Sequence, residues 1–172
     1  SPQRAPLLGA RDLPKRPMHL PRYIPEGELA PLMDAIRRID CPYQRAALLV
    51  ARWSGARCGE IRDLDLDCLD AYPDGTPRLR LPVGKTKRER IVPVHSEAAA
   101  AIRAVQALAR PGRGFRDERT GIVSHRLFVR RGGRLSVFYL LRAPLERACR
   151  AAGLVGPDGQ PTITPHRFRH TV

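Results

Sequence analysis

The sequence predicts a mainly α-helical domain that carries a small three-stranded antiparallel β-sheet. Several stretches repeat apolar residues at helical spacing, two short strand-like runs flank a basic turn, and Gly/Pro clusters punctuate the segments between them. A length of 172 residues suits one domain, or one domain plus an arm, with enough chain to bury a sizeable core. Hydrophobic residues make up 42%, and no apolar run approaches the ~20 residues of a membrane span. The N-terminal residues lack the charged-then-apolar layout of an export signal.

Residues 1–23 contain Pro2, Pro6, Pro14, Pro17 and Pro21 together with Arg4, Arg11, Lys15, Arg16 and Arg22. Proline at this density blocks helix and gives a stiff, extended segment, an interdomain linker or basic arm. A plain tail fits the composition as well. The globular part is expected from Ile24. Leu29, Leu32, Met33, Ile36 and Ile39 predict a helix over Glu28–Ile39, with Pro31 in its first turn. YQRAALLVARW, Tyr43–Trp53, is apolar nearly all round and belongs in the middle of a bundle. Ser54-Gly55 breaks it, and a short helix is expected over Cys58–Leu64.

LDLDCLD (64–70) then alternates with period two, and Tyr72-Pro73-Asp74-Gly75 is a turn signal. Arg78–Val83 and Glu89–Val94, joined by GKTKR, read as a β-hairpin. Ser96 is expected to cap a helix reaching about Ala109, with Ala98, Ala101, Ile102, Val105 and Leu108 inward. Residues 110–121 form a charged, glycine-containing loop. Leu127–Val129 is expected as the third strand, followed by a basic turn at Arg130-Arg131-Gly132-Gly133. Ser136–Ala152 should be helical, kinked at Pro144 and ended by Gly153.

Charge narrows the class of partner. Thirty-one Lys and Arg against 17 Asp and Glu leave +14, a surplus that favours phosphate backbones through counterion release. An aromatic share of 5% is poor for a single-strand stacking platform, so duplex contact fits better. Cys41, Cys58, Cys68 and Cys149 form no C-x-x-C pair. Free thiols in a reducing, intracellular compartment are expected, without a zinc site or disulfide framework.

Three segments carry chemistry. In SGARCGEIRDL, Arg57 and Glu60 lie three apart, so a carboxylate can orient a guanidinium from the same helix face. An incidental surface ion pair is the plainer reading. In VGKTKRERIVPV, four of the six residues from Lys85 to Arg90 are basic, at a hairpin tip from which a lysine can reach into a groove. A solubilising turn accounts for that composition too. In Thr164–His170, Thr164 is an N-cap type and Pro165 suits the first helical position. His166 and Arg169 would then share the opening turn, where free N–H groups already favour an anion. An ordinary capped helix with its histidine packed inside is the alternative. His166 and His170 have metal-ligand spacing but no evident third ligand, so no metal is expected.

In this order the segments resemble the tyrosine recombinases, or phage integrases. SGARCGEIRDL resembles the family's G-x-R-x-x-E-x-x-x-L box, VGKTKRERIVPV its lysine hairpin G-K-x-x-K-x-R-x-[VI]-P, and PHRFRHT its H-x-x-R-H box. The resemblance covers about Ile24 to Val172 and implies the DNA breaking-rejoining fold of the integrase catalytic core. It implies Arg57, Lys85, His166 and Arg169 as catalytic residues and Glu60 as a supporting carboxylate. Lys85 is taken over Lys87 because it follows Gly84 directly, and His170 falls on a position that is usually structural. Lys87, Arg88, Arg90, Arg130 and Arg131 are expected to bind DNA.

In this family a tyrosine attacks a DNA phosphodiester, forms a 3′-phosphotyrosyl link and releases a 5′-hydroxyl. The link conserves the bond energy, so the resemblance implies no cofactor. It implies double-stranded DNA as partner, further recombinase protomers in a synaptic complex, no membrane, and a cytoplasmic, nucleoid-associated setting. The family pattern places a second histidine or tryptophan and the nucleophilic tyrosine beyond the H-x-x-R box, whereas Tyr23, Tyr43, Tyr72 and Tyr139 all precede it. Residues 24–172 are therefore expected to be a partial catalytic domain without its C-terminal helices and nucleophile, able to bind duplex DNA but not to cleave it in cis. A type IB topoisomerase-like enzyme and a non-catalytic DNA-binding module are the two other readings.

Overall fold

The computed structural model describes residues 23–83, 88–110, 114–116, 118 and 120–171. Its elements run α1 (Glu26–Arg37), α2 (Pro42–Ser54), α3 (Cys58–Arg62), β1 (Leu69–Ala71), β2 (Pro77–Leu81), β3 (Arg90–Pro93) and α4 (Ser96–Gln106). Then come β4 (Phe115–Arg116), β5 (Val123–Ser124), β6 (Val129–Arg130), β7 (Gly133–Arg134), a π-helical turn (Phe138–Arg142), α5 (Ala143–Ala151) and α6 (Pro165–Arg169). No described helix is long and apolar enough to cross a membrane.

The all-apolar second helix sits where its composition demands. Ala46, Ala47, Leu48 and Val50 are fully buried, and α2 touches α1, α3, α4, the π-helical turn and α6. Phe128, Phe168, Ile102 and Leu140 close the same core around it. α1 starts at Glu26, two residues before the expected position, because the Pro25 carbonyl accepts from both Glu28 and Leu29 N–H. α4 is capped by His95, not by Ser96: His95 Nδ1 accepts the Glu97 N–H at 3.1 Å, and Ser96 is already the first helical residue.

The predicted hairpin forms as β2 and β3, antiparallel with Leu81 opposite Arg90; its tip, residues 84–87, lies outside the described residues. The third strand differs from expectation. It is β1, from the LDLDCLD segment, and it pairs with β2 through the Tyr72–Gly75 turn, where Gly75 has φ 87°. Leu127–Val129 is excluded because its chain is tied elsewhere. Leu127 N–H donates to Leu64 O and Leu66 N–H to His125 O, so this stretch makes a single bridge at Asp65–Arg126. Val129–Arg130 then pairs only with Gly133–Arg134, around a tight turn in which Arg131 and Gly132 both have positive φ (51° and 78°). Two left-handed central residues match the twist of a two-residue hairpin. Within the expected 110–121 loop, Phe115–Arg116 forms β4, which pairs with β5 just beyond the loop.

The period-two acids serve as anchors for arginines. Asp70 holds Arg78 (2.6 Å), Asp67 holds Arg80 (2.9 Å), Asp65 holds Arg126 (3.2 Å) and Asp63 pairs with Arg134. These four pairs occupy arginines that the net charge of +14 does not count, so the surplus itself is carried by other basic residues.

The expected kink near Pro144 takes a specific form. In the π-helical turn, Ala143 N–H donates to Phe138 O, five residues back. The next bond in that register would need an N–H from Pro144, which has none. The Tyr139 carbonyl is left over, and Gln44 Nε2 from α2 donates to it at 2.9 Å while Gln44 Oε1 accepts from Arg147. Gln44→Leu keeps the bulk and strands that carbonyl. A loss of about 1–2 kcal/mol is expected in urea unfolding; an unchanged midpoint would show that the buried amide does not secure the turn.

All four cysteines are free thiols. Burial pushes Cys68 up to about 12 and Cys149 up to about 11, so both are unreactive at neutral pH.

Candidate active site

The site is assembled from helix ends. α2 terminates at Gly55, whose φ of 64° is the left-handed conformation that favours glycine at a helix C-terminus. Two residues on, Arg57 is the N-cap of α3 with extended backbone, and Glu60 is the third helical residue. Glu60 reaches back so that its Oε2 accepts the Arg57 N–H at 2.7 Å, as the acid of a capping box does. Glu60 is only 5% exposed. Arg57 Nη1 lies 3.6 Å from Glu60 Oε1, and the Arg57 side chain is 44% exposed.

α6 supplies the opposite wall. Thr164 caps it as expected, accepting the Arg167 N–H, and Pro165 occupies the first turn. Fully buried Phe168 drives the helix onto the core, where it packs on α2. Arg169 Nε consequently donates to the Gly55 carbonyl at 2.8 Å. That bond uses the inner edge of the guanidinium and sets the plane of its two terminal amino groups. Burial, and then the Arg57 charge, push the Arg169 pKa down, with Arg90 acting in the same direction and Glu60 against. Two guanidinium groups that raise each other's energy are relieved by an anion between them.

His166 is exposed, and its ring meets that of His170 edge-on with centroids 4.5 Å apart. Slight desolvation of the exposed His170 ring, together with the Arg169 and His166 charges, lowers its pKa. Among the described residues no group of three or more His, Cys, Asp or Glu could hold a metal ion.

The fold therefore brings Arg57, Glu60 and Arg169 together, with His166 on the same short helix as Arg169. Lys85 and Lys87 lie outside the described residues. Arg88 is exposed beside the hairpin tip. Arg130 ends β6 and Arg131 sits in the β6–β7 turn, Arg130 Nη1 being 3.4 Å from the Tyr139 hydroxyl, and neither is linked to the Glu60 cluster by a described hydrogen bond or ion pair. Arg90, expected on DNA, places Nη2 2.8 Å from Glu60 Oε2.

Sequence reasoning missed one participant. The Gly55 carbonyl has no side-chain signature; only the Ser-Gly break marks its place. Tyr139 is half-buried against the core, with its hydroxyl 3.4 Å from Cys41 Sγ.

The sequence and the fold have clear parallels. The chain matches the model of the Phage integrase family over residues 22–172. It is 33% identical over 162 residues to the tyrosine recombinase XerD of Corynebacterium glutamicum, covering 89% of this chain and 47% of that protein. The crystal structure of XerA recombinase superposes with a TM-score of 0.63 at 26% identity, over 92% of this chain and 50% of that one. XerH site-specific recombinase bound to its difH substrate, at 19% identity, shares the fold with a TM-score of 0.65 over 88% and 41% of the two chains. The chain thus spans about half the length of the relatives it matches. A family model matched over this whole helical domain, and the same fold in solved recombinases, place the chain in the phage integrase family of tyrosine recombinases.

Proposed function

We propose that residues 24–172 are the DNA-activating part of a site-specific recombinase, which cuts and rejoins duplex strands through a 3′-phosphotyrosyl intermediate. The observation that carries this reading is the pairing of Arg169, whose guanidinium is fixed on the Gly55 carbonyl, with Arg57, anchored at its backbone N–H by Glu60, close enough for the Arg57 charge to act on Arg169. Attack on a phosphodiester adds negative charge to its non-bridging oxygens. Planar guanidinium groups donate paired hydrogen bonds to such oxygens, which a compact ammonium cannot. His166 supplies a further donor, and Lys85 the proton for the departing 5′-oxygen. Lys87, Arg88, Arg130 and Arg131 hold the duplex backbone. Residues 1–23 form a basic arm, the parent protein works in the cytoplasm on the nucleoid, and further protomers complete the synaptic complex.

The nucleophile is not among the four tyrosines of this sequence. Among the described residues, no hydrogen bond joins a tyrosine hydroxyl to Arg57, Glu60, His166 or Arg169. The chain alone should bind a nicked duplex, more weakly as salt rises, and leave no covalent protein–DNA adduct on a denaturing gel. A phosphotyrosyl adduct formed by this chain would overturn the assignment of the nucleophile. Salt-insensitive binding, or none, would overturn the DNA-facing role.

A further inference from the structure

We propose that Arg90 is a positioning residue, the resident counter-ion of Glu60 that frees Arg57 for the phosphate, and not a contact to the DNA backbone. This rests on the recombinase reading above.

A carboxylate as buried as Glu60 needs a charged partner and filled hydrogen-bond positions. Two arginines approach it, and they are not equivalent. Arg90 Nη2 makes a charge-assisted hydrogen bond to Oε2 at 2.8 Å. The Arg57 guanidinium stands off at 3.6 Å from Oε1, and the direct bond from Arg57 is through its backbone N–H, at 2.7 Å. The Glu60 charge is therefore answered mainly from β3. When a phosphate enters, Arg57 can turn its donors to it without stranding a buried carboxylate, because Arg90 remains. The backbone N–H bond meanwhile keeps the root of Arg57 in place.

Arg90 also has a mechanical position. It opens β3 opposite Leu81, so residues 82–89, with Lys85 among them, leave and return at this one pair. Through Glu60 the return of the hairpin is tied to the first turn of α3. The start of β3 and the residue bearing the Arg57 guanidinium thus share one carboxylate as a common reference point.

The test uses the intact recombinase that carries this domain, with Arg90→Gln, Arg90→Lys and, as control, Arg169→Ala. Single-turnover cleavage of a nicked duplex is measured at saturating DNA, and duplex affinity is measured across a salt series. For Arg90→Gln, cleavage is expected to fall about 100-fold, the scale of a misplaced catalytic group. Affinity should fall less than about threefold, with the salt dependence unchanged. Arg90→Lys should recover about tenfold, because an ammonium can still donate to Glu60. A salt slope smaller by about one, with cleavage restored at saturation, would make Arg90 a phosphate contact and overturn the proposal. Wild-type cleavage in Arg90→Gln would overturn it too, provided Arg169→Ala is impaired. If Arg169→Ala also cleaves normally, it is the recombinase reading that falls. Should Arg90→Gln not fold, the Lys variant decides: cleavage lowered tenfold at unchanged salt slope supports positioning, and a lowered slope with normal cleavage opposes it.

Discussion

Arg169→Ala in the intact protein is expected to lower strand cleavage at saturating DNA by roughly 10²–10³-fold, about 3–4 kcal/mol of transition-state stabilisation. The reasoning starts at Nε. Its bond to the Gly55 carbonyl fixes the guanidinium plane before any substrate arrives, so the terminal amino groups need no reorganisation when charge develops. Duplex affinity should change far less, because one phosphate contact among many contributes little to ground-state binding. Arg169→Lys should not rescue, since an ammonium cannot bond the Gly55 carbonyl and also present two parallel donors. Cleavage is read as covalent adduct per unit time. Equal losses of affinity and rate, vanishing at saturation, would leave a module that only binds.

The second large effect is on stability. Glu60→Ala is expected to cost about 2–4 kcal/mol in urea unfolding of this chain, near the lower end for a broken buried ion pair. The discount follows from exposure. Arg57 and Arg90 are 44% and 40% exposed, so both remain partly hydrated when the carboxylate goes. What is lost is the acceptor for the Arg57 N–H, the charged bond from Arg90 and the packing of a side chain that is 4% exposed. Glu60→Gln should recover part of this, since the amide oxygen still accepts one donor. A change below about 0.5 kcal/mol for the alanine variant would mean that the carboxylate stabilises nothing beyond its own desolvation cost.

Much of this architecture was legible in the residues because the deciding interactions are local or periodic. The all-round apolar run at Tyr43–Trp53 leaves a central helix as its one low-energy placement. Thr164-Pro165 starts α6 at the predicted residue through a side chain three positions from its partner. Illegible features depended on distant partners. LDLDCLD and LFV are both acceptable strands, and the choice between them was made by Asp65–Arg126 and the backbone bonds at Leu64 and Leu66. Pro144 announces a kink, but the donor to the carbonyl left over in the π-helical turn, Gln44, lies 95 residues before Tyr139. The site divides in the same way. Arg57 with Glu60, and His166 with Arg169, were readable at helical spacing. The bond from Arg90 to Glu60 was not, since nothing near Arg90 in the sequence signals a carboxylate 30 residues away.

Gly55 carries a consequence beyond geometry. Its carbonyl belongs to the C-terminal cap of the most deeply enclosed helix, and Arg169 takes its aim from that atom. On the proposed assignment, the reactive centre is therefore referenced to the end of a core helix and not to a free loop. Warming should not produce a folded but misaligned intermediate; competence to activate phosphate and the integrity of the core should disappear in the same cooperative event.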